Sequence, residues 1–85
     1  MSIEAVMKDY GFNLAASCAG IASYTKWIKY QEKRAYISVT DINEKGLPIT
    51  LNEPVKVKIF DLRSGDELED SQRFESLQSY LDTLT

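Results

Sequence analysis

The segment YTKWIKYQEKRAYISVTD, residues 24–41, carries four aromatic rings and four cationic side chains. Residues 24–31 and 35–41 alternate between two kinds of side chain, and their β-branched and aromatic content also favours strands. A turn centred on residues 32 and 33 therefore predicts a β-hairpin. Its predicted cross-strand pairs are Tyr30 with Ala35, Ile28 with Ile37, and Lys26 with Val39.

The two faces of this hairpin differ in chemistry, because successive side chains of a strand point to opposite sides of a sheet. The face predicted to join the core holds Ile28, Tyr30, Ala35, Ile37 and Val39. The opposite face holds Thr25, Trp27, Lys29, Tyr36, Ser38 and Thr40. The rings of the hairpin are therefore predicted to be divided between the core and the second face.

The clearest strand pattern in the chain is PVKVKIFDL, residues 54–62. Pro54 is acceptable at the first position of a strand. The two faces hold Val55, Val57 and Ile59 on one side, and Lys56, Lys58 and Phe60 on the other. Ser64 and Gly65 then predict a turn, which would be followed by a short returning strand.

A helix is predicted near each end of the chain. The first would be capped by Ser2 and ended by Gly11, which suits the left-handed C′ position, and the last would be capped by Asp70 or Ser71. Both segments space their apolar residues by three and four, which is the period of a helix lying on a core. The stripes are Ile3, Val6, Met7 and Tyr10 in the first helix, and Phe74, Leu77, Leu81 and Leu84 in the last.

Two connecting segments complete the chain. Residues 12–20 fit two structures, because Phe12, Leu14, Ala16 and Cys18 alternate as in a strand whereas the alanines suit a continued helix. Residues 42–54 are predicted to form a polar loop, since they carry glycine and proline between sheet elements.

These elements predict an α+β fold: a small single domain over residues 1–85, with three or four mostly antiparallel strands and both helices on one sheet face. A chain of 85 residues has room for one core. The helix-covered face is predicted to hold Ile28, Ile37, Val57 and Ile59.

The composition, 44% apolar and 27% charged, is that of an ordinary globular domain. No apolar segment approaches the roughly 20 residues that span a bilayer, and the first residues lack the positive region of a signal peptide. We therefore expect a cytoplasmic protein that does not associate with membranes. Cys18 is the only cysteine and, among small residues, is interpreted as a packed side chain.

No enzymatic activity, cofactor or metal site is expected. The chain has no histidine, so it lacks the usual general base and the commonest metal ligand. The four glycines are too scattered for a phosphate-binding loop. A cluster of carboxylates, Asp66, Glu67, Glu69 and Asp70, does not have calcium-loop spacing, and is better explained as favourable negative charge before the last helix.

The candidate binding residues lie on the second sheet face. If the strand 54–62 neighbours the hairpin, one surface collects the rings and lysines of that face: Trp27, Lys29, Tyr36, Lys56, Lys58 and Phe60. The alternative is that this face is covered by the loop 42–54 or by a second subunit.

Three functions are compatible with the sequence, and two of them would use this surface. The leading hypothesis is a small non-catalytic protein-interaction or regulatory domain. It would bind a protein partner or a second copy through this face or through an exposed sheet edge, since Trp and Tyr commonly dominate binding energy at interfaces. The second is weak binding of single-stranded nucleic acid, with bases stacked on the rings. The chain is acidic overall, with net charge −3, and residues 59–85 carry two basic and seven acidic side chains. The third hypothesis is therefore an acidic inhibitor, in which the acidic surface from Asp61 to Asp82 mimics nucleic acid and binds a basic protein.

Overall fold

The computed structural model describes residues 3–16 and 22–84. Its five strands form one antiparallel sheet in chain order. The predicted α+β fold is therefore confirmed, although three or four strands were expected. No helix within the described ranges is long and apolar enough to cross a membrane. The elements are α1 (Ile3–Asp9), β1 (Asn13–Ala16), β2 (Ala22–Tyr30), β3 (Lys33–Asp41), β4 (Val55–Asp61), β5 (Gln72–Phe74) and α2 (Leu77–Asp82).

The end of α1 is set by Gly11, as predicted. Gly11 has a φ of 89°, and its N–H donates to the Lys8 carbonyl at 2.9 Å. The N–H of Phe12 donates to the Met7 carbonyl, also at 2.9 Å, which completes a Schellman motif. The predicted cap Ser2 lies outside the described residues.

The segment after α1 is a strand rather than a continued helix over the part that the structure describes. β1 pairs antiparallel with β2, with Leu14 opposite Tyr24 and Asn13 opposite Thr25. Phe12, just before the strand, is buried. The rest of this segment, including Cys18, lies outside the described residues, so the prediction of a packed thiol stays a prediction.

The hairpin has the predicted faces, but its predicted register was wrong by two residues. β2 and β3 pair Ile28 with Ala35 and Tyr30 with Lys33. The turn is formed by Gln31 and Glu32, whose φ angles of 47° and 68° have the handedness of a type I′ loop. Neither residue is Asn or Gly, the usual markers of this turn. Because a two-residue shift keeps the period of two, each side chain stays on its predicted face.

The last predicted helix began too early. Residues Gln72–Phe74 form β5, in which Phe74 pairs with Val55, so these backbone groups belong to a sheet edge. Helix α2 is instead capped by Ser76, whose Oγ accepts from the Ser79 N–H at 3.1 Å. The predicted caps Asp70 and Ser71 were therefore wrong.

The core lies between the two helices and one face of the sheet, as predicted. Leu77 and Leu81 of α2 are fully buried, but Leu84 lies beyond the helix and is 37% exposed, so its assignment to the stripe was wrong. Tyr80, which the sequence stripe omitted, is buried instead, and burial raises its pKa to about 12. The central cluster contains Met7, Phe12, Tyr24, Ile37, Val39, Val55, Val57, Leu77, Tyr80 and Leu81.

The margins of the core are less buried than predicted. Ile28 and Ile59 pack against the cluster but remain partly exposed. Tyr30 is also half-buried, at the hairpin end of the sheet, away from the helices. The helices therefore cover the half of the face that contains Val39 and Val55 more completely than the half that leads to the hairpin turn.

Candidate functional site

The second face of the sheet carries a row of three aromatic residues across neighbouring strands. Trp27 of β2 lies opposite Tyr36 of β3, which lies opposite Phe60 of β4. Tyr36 and Phe60 stack, with ring centroids 5.3 Å apart and an angle of 27° between the rings. The antiparallel register thus places in one row three residues that the sequence separates by as many as 33 positions.

Trp27 stands apart from the other two rings. It is 77% exposed and makes no ring contact with any described residue. This exposure shows that the loop 42–54 does not cover the ring. Leu47 and Leu51 of the loop pack against the core cluster instead. The predicted alternative of coverage by this loop is therefore wrong for Trp27.

Lys56 and Lys58 are neutralised by side chains of the same chain. Glu44, on the loop 42–54, contacts Lys56 at 3.0 Å and forms a second ion pair with Lys58. The hydrogen bonds from Lys58 and Lys56 hold the pKa of the Glu44 carboxyl below its usual value. Glu67 lies 3.9 Å from Lys58 on its other side. These two lysines are consequently poor candidates for binding an external anion.

Lys29 is in a different environment from Lys56 and Lys58. It is exposed and lies opposite Arg34 of β3, so two cations face each other across neighbouring strands. Neither forms an ion pair with a residue in the described ranges. Like charges directly opposite each other destabilise a sheet, so this pair favours an anion beside it.

Arg34 was not among the predicted site residues. The register places it on the same face as Trp27, since β3 alternates and Tyr36 is two residues further on. The sequence did contain a signal for this, because Arg34 lies two residues before Tyr36 and residues two apart in a strand share a face. Lys33 and Arg63 lie close by, and with Glu32, Asp61 and Leu62 they line a shallow depression at the end of the hairpin.

The acidic residues 66–70 have contacts within the chain. The Tyr30 hydroxyl donates to the Glu69 carboxylate at 2.7 Å, and this hydrogen bond raises the pKa of Tyr30. Among the residues that the structure describes, no group of three or more acidic or cysteine side chains is arranged to hold a metal ion. The expected role of this cluster at the start of the last helix was wrong, because α2 begins at Leu77.

The six predicted residues therefore share one face, but only four of them fall into two regions that differ in charge pairing. We call Trp27, Lys29 and Arg34 the open region, and Lys56, Lys58 and Glu44 the paired region. The stacked Tyr36 and Phe60 lie between them. Comparisons with protein-family models, with curated proteins and with solved structures find no match to this chain.

Proposed function

We propose that this chain is a non-catalytic, cytoplasmic protein-interaction domain that binds its partner through the open region. The observation that carries the proposal is the exposure of Trp27, at 77%, on a regular strand rather than on a loop. A large aromatic side chain on a rigid strand offers wide apolar contact at little entropic cost. The absence of histidine from the whole sequence supports a binding role over catalysis.

A protein partner fits the open region better than nucleic acid does. Binding of a single strand uses several free rings and a continuous basic track. Here Tyr36 and Phe60 stack on each other, and the lysines beside them are paired with Glu44. A single free ring with two adjacent cations is instead typical of a small interface hot spot, in which an aromatic residue and an arginine carry much of the energy.

The experiment that tests this proposal places a photo-crosslinking amino acid with an aromatic side chain at residue 27, so that a ring stays on the strand, in cells that produce the protein. The matched control places it at residue 49, because Ile49 is 80% exposed but lies on the loop 42–54. We expect position 27 to give a crosslinked protein that position 49 does not give. The same protein should then bind the purified wild-type chain and lose at least about tenfold in affinity for Trp27→Ala, as expected for a hot spot. Equal crosslinking from both positions, or full affinity of Trp27→Ala, would contradict the proposal.

Weak binding of single-stranded nucleic acid is the second candidate, and Lys29 opposite Arg34 is the observation that favours it. Its test is titration with an unstructured oligonucleotide at low and moderate salt, followed by Trp27 fluorescence. Quenching that disappears as salt rises would favour this function, because release of counterions drives such binding. No change at low salt would exclude it.

A further inference from the structure

The outer edge of β2 beside Trp27 has no strand paired with it among the described residues. β1 pairs with β2 only from Ala22 to Thr25, whereas β2 continues to Tyr30. β1 does not extend further along β2, because the residues just before it, around Gly11, form the C-terminal motif of α1. Residues 26–30 therefore present a free strand edge within the part of the chain that the structure describes.

The backbone groups that face this edge belong to Trp27 and Lys29. A two-residue hairpin loop closes on a hydrogen-bonded pair, which here is Tyr30 with Lys33. Hydrogen-bonded and non-hydrogen-bonded pairs alternate along an antiparallel ladder. Tyr30 and Ile28 thus direct their N–H and C=O groups towards β3, and the intervening residues direct theirs outward.

We propose that this edge binds an extended acidic segment of a partner protein, which adds to the sheet as a further strand beside β2. The inference rests on the function proposed above and specifies its binding mode. In strand addition, main-chain hydrogen bonds supply affinity, and alternating side chains supply specificity. The outward groups of Trp27 and Lys29 are the main-chain partners.

The charges beside this edge, and the alternation of side chains along a strand, indicate which residues the partner segment should carry. In the added strand, the residues opposite Trp27 and Lys29 point to the second sheet face, where Lys29 already lies opposite Arg34. A carboxylate at that position relieves the unfavourable pair of cations. The residue opposite Ile28 points to the other face, where Ile28 is only partly buried at the margin of the core. Acidic and apolar residues in alternation therefore fit this edge.

A second copy of the same chain fits less well. Pairing two β2 edges would bring another Lys29 into the same sheet and increase the concentration of positive charge. Lysine on an edge strand is a common means of discouraging such pairing. The edge is therefore better suited to an acidic segment than to itself.

The test uses the full chain and a capped peptide of alternating glutamate and valine, about seven residues long. Hydrogen exchange of the backbone amides is measured by NMR with and without peptide. When the peptide is saturating, we expect the exchange rates of the Trp27 and Lys29 amides to fall by at least about tenfold. The amides of Ile28 and Tyr30, which already donate within the hairpin, should change little.

Two variants separate main-chain pairing from charge. Lys29→Ala removes the charge but keeps the outward N–H, whereas Lys29→Pro removes both, at an edge position where proline is tolerated. We expect Lys29→Pro to bind the peptide about tenfold more weakly than Lys29→Ala does. If Lys29→Pro does not fold, the wild-type chain with a peptide N-methylated on the side that faces β2 gives the same comparison.

Several outcomes would overturn the inference. They are unchanged amides at Trp27 and Lys29, equal affinity of the two variants, and equal binding of a peptide with lysine in place of glutamate. Protection that appears without peptide and rises with protein concentration would assign the edge to a second copy instead. If the edge fails these tests while residue 27 still crosslinks a specific protein, the inference is wrong and the proposed function stands. If that crosslink is absent as well, both are wrong.

Discussion

The two faces of the sheet are formed by the same strands but have different surroundings. On β3, Ile37 and Val39 are buried beneath the helices, whereas Tyr36 and Ser38 beside them are only partly covered. On β2, Trp27 is 77% exposed although Ile28, the next residue, packs against the core. The chain closes one face with its own helices and leaves part of the other open. Stability and binding should therefore depend on alternate residues of the same strands.

The largest effect on the free energy of unfolding is expected for a residue that packs on the helix-covered face. Leu81→Ala should lower the free energy of unfolding by about 2–5 kcal/mol, because the side chain is fully buried between α2 and the sheet. Unfolding in urea, followed by circular dichroism, measures the change. The control Ile49→Ala removes a side chain that is 80% exposed, and should change stability by about 0.5 kcal/mol or less. Equal effects of the two variants would contradict the assigned core.

The attachment of α2 to the core face provides the next largest effect. Ser76→Ala should cost about 0.5–2 kcal/mol, because it removes the side chain that accepts from the Ser79 N–H. The matched control is Ser71→Ala, at one of the two positions, Asp70 and Ser71, that the sequence pattern predicted as a cap. A larger loss for Ser71→Ala than for Ser76→Ala in the same urea titration would place the start of the helix where the sequence pattern had placed it.

The paired region gives a smaller effect that depends on pH. The pKa of Glu44 is lowered by Lys58 and Lys56, so its contribution to stability is present above its unfolded value of 4.5 and is lost as pH falls through the folded value. Glu44→Gln should therefore destabilise the protein at pH 7 by at most about 1 kcal/mol, since the pair is partly exposed to solvent.

Unfolding midpoints of wild type and Glu44→Gln, measured from pH 7 to pH 3, test this sign. The difference between them should shrink as the solution becomes more acidic. If the wild type binds oligonucleotides, the variant should bind them more strongly at low salt, because Lys56 and Lys58 lose the carboxylate of Glu44. A difference that grows towards pH 3 would contradict the ion pairs.

The smallest effect on stability is expected for Trp27→Ala. Because the ring is exposed and makes no ring contact within the described residues, the free energy of unfolding should change by about 0.5 kcal/mol or less. Trp27 is the only tryptophan in the sequence, so its fluorescence can be followed directly. In the wild type, this fluorescence should be red-shifted and readily quenched by acrylamide. A blue-shifted, protected emission that persists on dilution would mean that the chain itself covers the ring.

The strands could be predicted from sequence where one period extended over many residues. Val55, Val57 and Ile59 alternate without interruption, and the whole of β4 followed from them. Phe74 was assigned to the wrong element because its spacing of three from Leu77 matches a helical stripe, and a three-residue strand is too short to show its own period. Short elements are thus hidden by the periodicity of their neighbours.

The sheet face shared by the candidate residues could be predicted, but the electrostatics of that face could not. Alternation, together with the assumption that the strand 54–62 neighbours the hairpin, placed Trp27, Tyr36 and Phe60 on one face. The neutralisation of Lys56 and Lys58 depends on Glu44, which lies 12 residues from Lys56 and reaches the lysines from a loop of irregular structure. Sequence patterns contain no signal for such a contact, so a count of lysines overestimated the charge available to a partner.

The order of the strands in the sheet is also their order along the chain. Each strand therefore needs to find only the strand before or after it, which keeps the entropy lost in closing loops small. The β2–β3 hairpin, with its two-residue turn, closes the shortest loop, whereas β3 and β4 must close the segment between Asp41 and Val55. We expect refolding to begin at this hairpin and to be limited by the arrival of β4, so that the strand carrying Trp27 is among the first parts of the molecule to form.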